Sequence, residues 1–502
     1  MSGTNYQKLN FKDISLSERK KPRSQLETLA EQAMLERHFS PSFSAEAQKQ
    51  LQTITHPIQS PKKGVVRDLR DRPWISIDNE GSQDIDQLTY VEMGPDHATL
   101  YVAVADVDSL VVKGSALDLE AQEKATTVYT PSTIFPMLPD KLSHDFTSLK
   151  QDEDRLAIIG EVTILKSGKI GEIHFYQASV HNRAKLSYDN VTSWLAKKGS
   201  LNASAEIGHQ IVIQDKLSRK IRTYRHLHGA LSLEVREMQP VLSDEKIVSI
   251  RAATQNRAEE MIEDFMIVCN VAATQYLQRH QMPTLMRIVR EPKNWRRIIE
   301  IARENGAKLT RNPNAKVLEL FLLDQKRKDP KNFPDLSFSV VKLLGRGEYV
   351  VDYPGEFAPG HFGLALRHYT HATAPNRRYV DLLTQRLLKM AMTNSPLTYS
   401  REELASISHN CTIKEEAAEK IERRLKKSAA AIFLQTKIGT VFSGMVTGAN
   451  DHTWVRISRP FVEGRIMEDY RGLKVGQRVF VKLVKVDVEK GHIDFARQKT
   501  TS

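Results

Sequence analysis

Residues 74–87 read Trp74-Ile75-Ser76-Ile77-Asp78-Asn79-Glu80-Gly81-Ser82-Gln83-Asp84-Ile85-Asp86-Gln87. The opening four residues have the apolar character of a buried strand, and the acidic run begins where that strand stops. Side chains alternate along an extended segment, so Asp84 and Asp86 share a face and Asp78, at the strand end, is able to converge on them. Three carboxylates held together repel one another and resist ionisation unless a cation neutralises them. An all-oxygen donor set suits magnesium or manganese. A calcium EF-hand loop does not fit, because Gly81 falls fourth from Asp78 rather than sixth and no terminal glutamate matches. Spacing alone leaves two readings open, a solvated acidic turn and an oxygen-ligated metal site.

Around this stretch the strand pattern continues through Ala98 to Val107 and residues 156–180, with turns at Ser167-Gly168 and Gly171. From about residue 250 helices take over. Met261, Ile262, Phe265, Val268, Cys269, Ala272 and Tyr276 recur at helical spacing as a core face. Arg377–Met392 and Glu415–Phe433 read as two more helices, the second rich in cations from Lys414 to Lys427. Ahead of the first of these lies Arg367-His368-Tyr369-Thr370-His371-Ala372-Thr373-Ala374-Pro375-Asn376-Arg377-Arg378-Tyr379. Thr373 is expected as N-cap and Pro375 in the opening turn. Arginines beside the positive helix end are unfavourable unless an anion such as phosphate sits there or nearby carboxylates pair with them. His368 and His371 have metal-compatible spacing but no third ligand, so packing or hydrogen bonding is expected of them.

The chain's outer parts differ in character. Residues 1–65 are expected to be a short helical accessory segment. It comprises a charged stretch at 18–23, a helix carrying Leu26, Leu29, Ala33 and Met34, and a second one capped by Ser44. That second helix shows Glu46, Lys49 and Gln50 to solvent and is ended by Pro57 and Pro61. From Lys437 onward glycines punctuate five β-rich runs, the clearest being Val479–Val486, which suggests a five-stranded OB barrel in residues 435–502. Gly439 and Gly444 have phosphate-loop spacing, but Met445 stands where lysine is required. The formal charge is +12 over 502 residues; a polyanionic partner would release counterions on binding such a protein. Two cysteines exclude a disulfide framework and a cysteine-built zinc site, and point to a reducing, cytoplasmic compartment. Neither a secretory leader nor a membrane-spanning run is in evidence.

Residues 74–87, 127–149, 258–273 and 360–388 together resemble the ribonuclease II / ribonuclease R family, the RNB domain, and the likeness runs from about residue 66 to 497. The resemblance implies an α+β protein: an RNB-type catalytic domain over 66–434, with mixed sheet and packed helices, followed by the OB barrel. It implies hydrolytic 3′-to-5′ degradation of single-stranded RNA to nucleoside 5′-monophosphates, by a monomer using Mg2+ or Mn2+. Asp78, Asp84 and Asp86 match the family's metal-site aspartates, with Asp86 also catalytic. Arg377 matches the catalytic arginine and Tyr129 the tyrosine that stacks on the terminal base. Arg378 and Arg423 are expected to touch RNA, and Glu422 is a further candidate for the site. Two departures stand out. Gln87 occupies the position of a fourth aspartate, giving metal a neutral oxygen. The N-terminal region is also too short for a pair of cold-shock barrels. The competing expectation is a non-catalytic RNA-binding protein of the same fold.

Overall fold

The computed structural model describes residues 24–58, 66–243, 246–449 and 452–498; the stretch 18–23 and Pro61 lie outside them. The chain begins with helices α1 (Gln25–Glu36) and α2 (Ala45–Thr53) and strands β1 (Arg67–Asp68), β2 (Trp74–Asp78), β3 (Gln87–Met93) and β4 (His97–Ala105). Helix α3 (Ala116–Lys124) and a small hairpin, β5 (Val128–Tyr129) with β6 (Ile134–Phe135), lead to the long strands β7 (Asp154–Leu165) and β8 (Ile170–Ser187). One mixed sheet results, ordered β1-β8-β2-β3-β4-β7. Strand β8 is shared: its first part pairs antiparallel with β7, while Asn182–Ser187 runs parallel to β2, so the sheet curls back on itself.

All five residues of β2 are buried. Burying Ile75 and Ile77 contributes roughly 1.5–3 kcal/mol each. The registers Asp78↔Ser187 and Gln87↔Val104 bring the acidic loop 79–86 to one end of the sheet. Helix α4 (Tyr188–Leu195) starts at that same end, and α5 (Ala205–Leu227) lies on β3.

The chain then forms hairpin β9 (Glu237–Ser243) with β10 (Lys246–Ala253) and the core helix α6 (Arg257–Arg279), which packs on β2, β4, β7 and β8. Strand β11 (Thr284–Val289) pairs with β12 (Gly347–Asp352) across three helices, α7 (Trp295–Glu304), α8 (Ala315–Lys328) and α9 (Phe333–Val341). Helix α10 (Tyr379–Met392) is followed by α11 (Arg401–Leu434). At 34 residues α11 is about 50 Å long. Its last turn (Ala430, Ala431, Leu434) plugs the core of a closed barrel. The barrel's strands β13 (Val441–Ala449), β14 (Thr453–Ser458), β15 (Phe461–Glu468), β16 (Arg478–Asp487) and β17 (His492–Gln498) close in the order β13-β14-β15-β17-β16. Among the described residues no helix is long and apolar enough to cross a membrane.

Several local expectations are corrected. Helix α10 starts at Tyr379 with Arg378 as its N-cap, so Thr373 and Pro375 precede the helix. The cause is Asp381, whose Oδ1 accepts from the backbone N–H groups of Thr373 and Ala374, both at 2.8 Å, folding residues 373–378 as a loop over the helix start. Helix α11 begins at Arg401, not Glu415, on a capping box between Ser400 and Glu403. Helices do not wait for residue 250: α5 already forms at Ala205–Leu227. Ser44 does cap α2, but that helix ends at Thr53, before Pro57, and Gln50 reaches inward to accept from Leu117 N–H at 2.9 Å.

Candidate active site

The acidic loop owes its shape to residues 147–149. Ile85 N–H donates to Ser148 Oγ at 3.0 Å, Ser148 Oγ donates to Gln83 O at 2.7 Å, and Leu149 N–H donates to Ile85 O at 2.9 Å. Held in this way, Asp86 meets the arginine loop. Its Oδ1 accepts from Asn376 N–H at 3.1 Å and its Oδ2 from Arg377 Nε at 3.1 Å. The Asp86 side chain is 3% exposed, whereas that of Arg377 is 42% exposed, leaving part of the guanidinium open to an incoming anion.

Tyr129 approaches from the β5–β6 hairpin. Its hydroxyl donates to Asp84 Oδ2 at 3.2 Å and also meets the Arg377 guanidinium. Its backbone N–H is held by Glu422 Oε1 at 2.9 Å. Burial pushes the Tyr129 phenol up, so it stays protonated as a donor.

Asp78 Oδ2 is buried with no hydrogen-bond partner. Burial, with the Asp86 carboxylate adding to it, pushes Asp78 up to about 7 against the opposing pull of Arg377. Burial likewise pushes Asp86 to about 7, opposed by Arg377 and reinforced by Asp84. Two carboxyl groups at this threshold, one with an orphaned oxygen, form a donor set that gains from a cation. Among the described residues no three His, Cys, Asp or Glu side chains are grouped so that they could hold a metal ion between them. Such a set fits a hydrated ion, since magnesium keeps several waters and takes only one or two carboxylates.

The chain matches the RNB domain over residues 66–394 and the RNase II-type exonuclease C-terminal S1 domain over residues 440–498. It belongs to the RNB domain family. Ribonuclease R of Escherichia coli (strain K12) is 28% identical over 475 residues, covering 86% of this chain and 57% of that protein. Ribonuclease R of Thermotoga maritima is 30% identical over 479 residues, covering 88% of this chain and 66% of that one. This RNB chain thus spans under two-thirds of the length of either relative. The structure of Mycoplasma genitalium RNase R in complex with ribose methylated single-stranded RNA superposes with a TM-score of 0.86 at 24% identity, covering 94% of this chain and 78% of that one. The likeness confirms the fold: an α+β part followed by a barrel.

Asp84, Asp86, Tyr129 and Arg377 are linked by hydrogen bonds, and Asp78 lies close enough to feel the charges of Asp84, Asp86 and Arg377. Gln87 opens β3 opposite Val104 and is 9% exposed. Arg378 is forked onto Asp381, Nε to Oδ2 and Nη2 to Oδ1, both at 2.7 Å, so each arginine has a carboxylate partner, while Arg377 keeps part of its guanidinium exposed. Arg423 projects to solvent on α11 near Lys427, whose ammonium lies 5.2 Å from the Trp454 ring of the barrel. His371 is half-buried with Nδ1 2.7 Å from Tyr349 Oη, and His368 Nδ1 is 3.0 Å from Gln278 Nε2, hydrogen-bonding roles as anticipated.

Sequence reasoning missed Asn376, Thr147, Ser148 and Asp381, and also Lys185 and Tyr188. Lys185 Nζ donates to Ser82 O, and its charge lowers Asp78 slightly. Tyr188 is pushed up by burial, with Asp78 adding to the effect. The Ser187↔Asp78 register was the only route to these last two, and it needs the parallel β2–β8 pairing.

Proposed function

We propose that this chain is a hydrolytic 3′-to-5′ exoribonuclease that uses a divalent cation, magnesium by preference, to degrade single-stranded RNA to nucleoside 5′-monophosphates. The observation that carries the reading is the buried pairing of Asp86 with Arg377, with Tyr129 bonded to Asp84 beside it and an unpaired Asp78 oxygen within reach of their charge. The relatives' names and the RNA in the Mycoplasma complex support it.

Asp78 and Asp86 would hold the cation, with Asp84 and the neutral oxygen of Gln87 beside them. A divalent ion there lowers the pKa of a water and neutralises phosphate charge. The protein's own groups do the rest. Arg377, already anchored by Asp86, offers its exposed guanidinium edge to the scissile phosphate and stabilises charge that builds there. Tyr129 presents an aromatic ring whose backbone is fixed by Glu422, a surface for the terminal base that any base can occupy. With Arg378 committed to Asp381, its contribution is to hold the loop that presents Arg377. We further propose a monomer working in a reducing, cytoplasmic compartment, with catalytic part 66–434, barrel 435–502 and N-terminal segment 1–65.

Gln87 favours one rival, an RNA-binding protein with impaired hydrolysis. End-labelled single-stranded RNA incubated with the protein and magnesium separates the two. Shortening of the labelled RNA supports the nuclease, whereas RNA that is retarded but intact supports the binder.

A further inference from the structure

Thr147 and Ser148 lie just beyond a short helical stretch, Lys141–Phe146, and are 5% and 0% exposed. Ser148 bridges Ile85 N–H and Gln83 O of the acidic loop. Thr147, its neighbour, faces the other way and meets the Asn376 amide of the arginine loop at 2.5 Å. Asn376 is 1% exposed, and its backbone N–H is the group that holds Asp86 Oδ1. Two adjacent residues thus touch the two loops whose separation sets the Asp86–Arg377 geometry. We propose that Thr147 and Ser148 are positioning residues that register the arginine loop on the acidic loop, and that the Thr147–Asn376 contact is the latch.

The hydrogen inventory sharpens the contact. Thr147 Oγ1 has one hydrogen but faces two carbonyl oxygens, Leu142 O at 2.8 Å and Asn376 Oδ1. Asn376 Nδ2 meanwhile is buried without an acceptor. Turning the amide resolves both conflicts: the hydroxyl donates to Leu142 O, and Nδ2 donates to Thr147 Oγ1. The unpaired atom is then a carbonyl oxygen, which proteins tolerate better buried than an N–H. The latch therefore needs an acceptor oxygen at residue 147, which serine supplies and valine does not.

The inference rests on the proposed nuclease reading, so its test carries a readout independent of hydrolysis. Thr147→Val, which keeps the shape, and Thr147→Ser, which keeps the hydroxyl, are compared with wild type by amide hydrogen exchange resolved at Asn376, and by kcat, KM and RNA affinity. In Thr147→Val the Asn376 amide should exchange at least about tenfold faster, because its bond to Asp86 opens more often. Its kcat should fall about 10–100-fold, with RNA affinity and KM within about twofold, as expected when only the reacting geometry slips. Thr147→Ser should restore both. Unchanged Asn376 exchange in Thr147→Val, or a serine variant as impaired as the valine one, overturns the latch. A wild-type protein that leaves RNA intact overturns the nuclease reading, while the exchange comparison still decides the latch.

Discussion

Asp78 and Asp86 concentrate the electrostatic tension of the molecule, since both are lifted from 3.8 to about 7 by burial. A carboxyl whose folded value lies above its unfolded value favours the folded state while protonated. That contribution is full below 3.8 and is lost as pH rises through about 7. Protein freed of divalent ions should therefore melt at falling temperature between pH 5 and 8, by an amount on the order of a few kcal/mol. Added magnesium should restore the melting temperature more at pH 8 than at pH 6, and Asp78→Asn should remove only part of the pH dependence, leaving the contribution of Asp86. A metal-free melting temperature independent of pH would remove these two groups from the account. Gln87→Asp tests the neighbouring position: if residue 87 faces the ion, the magnesium concentration for half-maximal hydrolysis should fall. An unaltered titration would exclude Gln87 from the site. The acidic residues and Arg377 stand in stretches that resemble the RNB family, which singled them out where spacing alone left an acidic turn open. Thr147, Asn376 and Tyr188 were not legible, because each acts through a contact made only when distant segments meet. The pairing of Arg378 with Asp381 is an i, i+3 relation present in the sequence, and it competes with any contact of Arg378 to phosphate.

At the scale of elements, α1 belongs to the site's foundations. Its buried face (Leu26, Leu29, Ala30, Ala33 and Met34) forms one apolar cluster with Val128 and Phe135 of the Tyr129 hairpin and with Ala418, Ile421 and Leu425 of α11. Glu422, beside Ile421, is the residue that grips Tyr129 N–H. Ala33→Asp would place an unpaired carboxylate in this cluster at a cost of several kcal/mol, enough to loosen α1 from the hairpin. We expect shorter RNAs to bind more weakly and the final product length to change, with long-RNA binding less affected. Identical end products from Ala33→Asp and wild type would show that the hairpin stands without α1. The helical spacing that revealed α1 was equally available for the front of α11, where Ser400 and Glu403 form a capping box before Leu404, Ile407 and Cys411. Helix α5 was harder to see. Buried Gln210, Gln214 and Ser218 interrupt its apolar face, and their partners include Val91 and Thr89 on β3 and Asp264 on α6.

For the whole molecule, the proposed function raises the question of how a chain of net charge +12 would share a grip on RNA between the two parts that α11 joins. The barrel was foreseen from its glycine-punctuated strands, but not the plug of Ala430, Ala431 and Leu434 in its core. Cutting the chain after Leu434 would bare that apolar end and confound any loss of binding, so the barrel is better tested by its surface. Strand β16 alternates in burial, with Val479, Val481 and Leu483 inward and Arg478, Phe480 and Lys482 outward. Two cations flanking a 49% exposed phenylalanine have the composition of a single-strand platform. If this face carries RNA, Arg478→Ala and Lys482→Ala should each lower the slope of log affinity against log salt by roughly 0.7. Phe480→Ala should instead cost about 1–3 kcal/mol of binding and leave the slope alone. The three variants, titrated with the same single-stranded RNA at several salt concentrations, divide charge from stacking. Slopes and affinities matching wild type throughout would take β16 out of the RNA path and leave binding to the catalytic part and the remaining faces of the barrel.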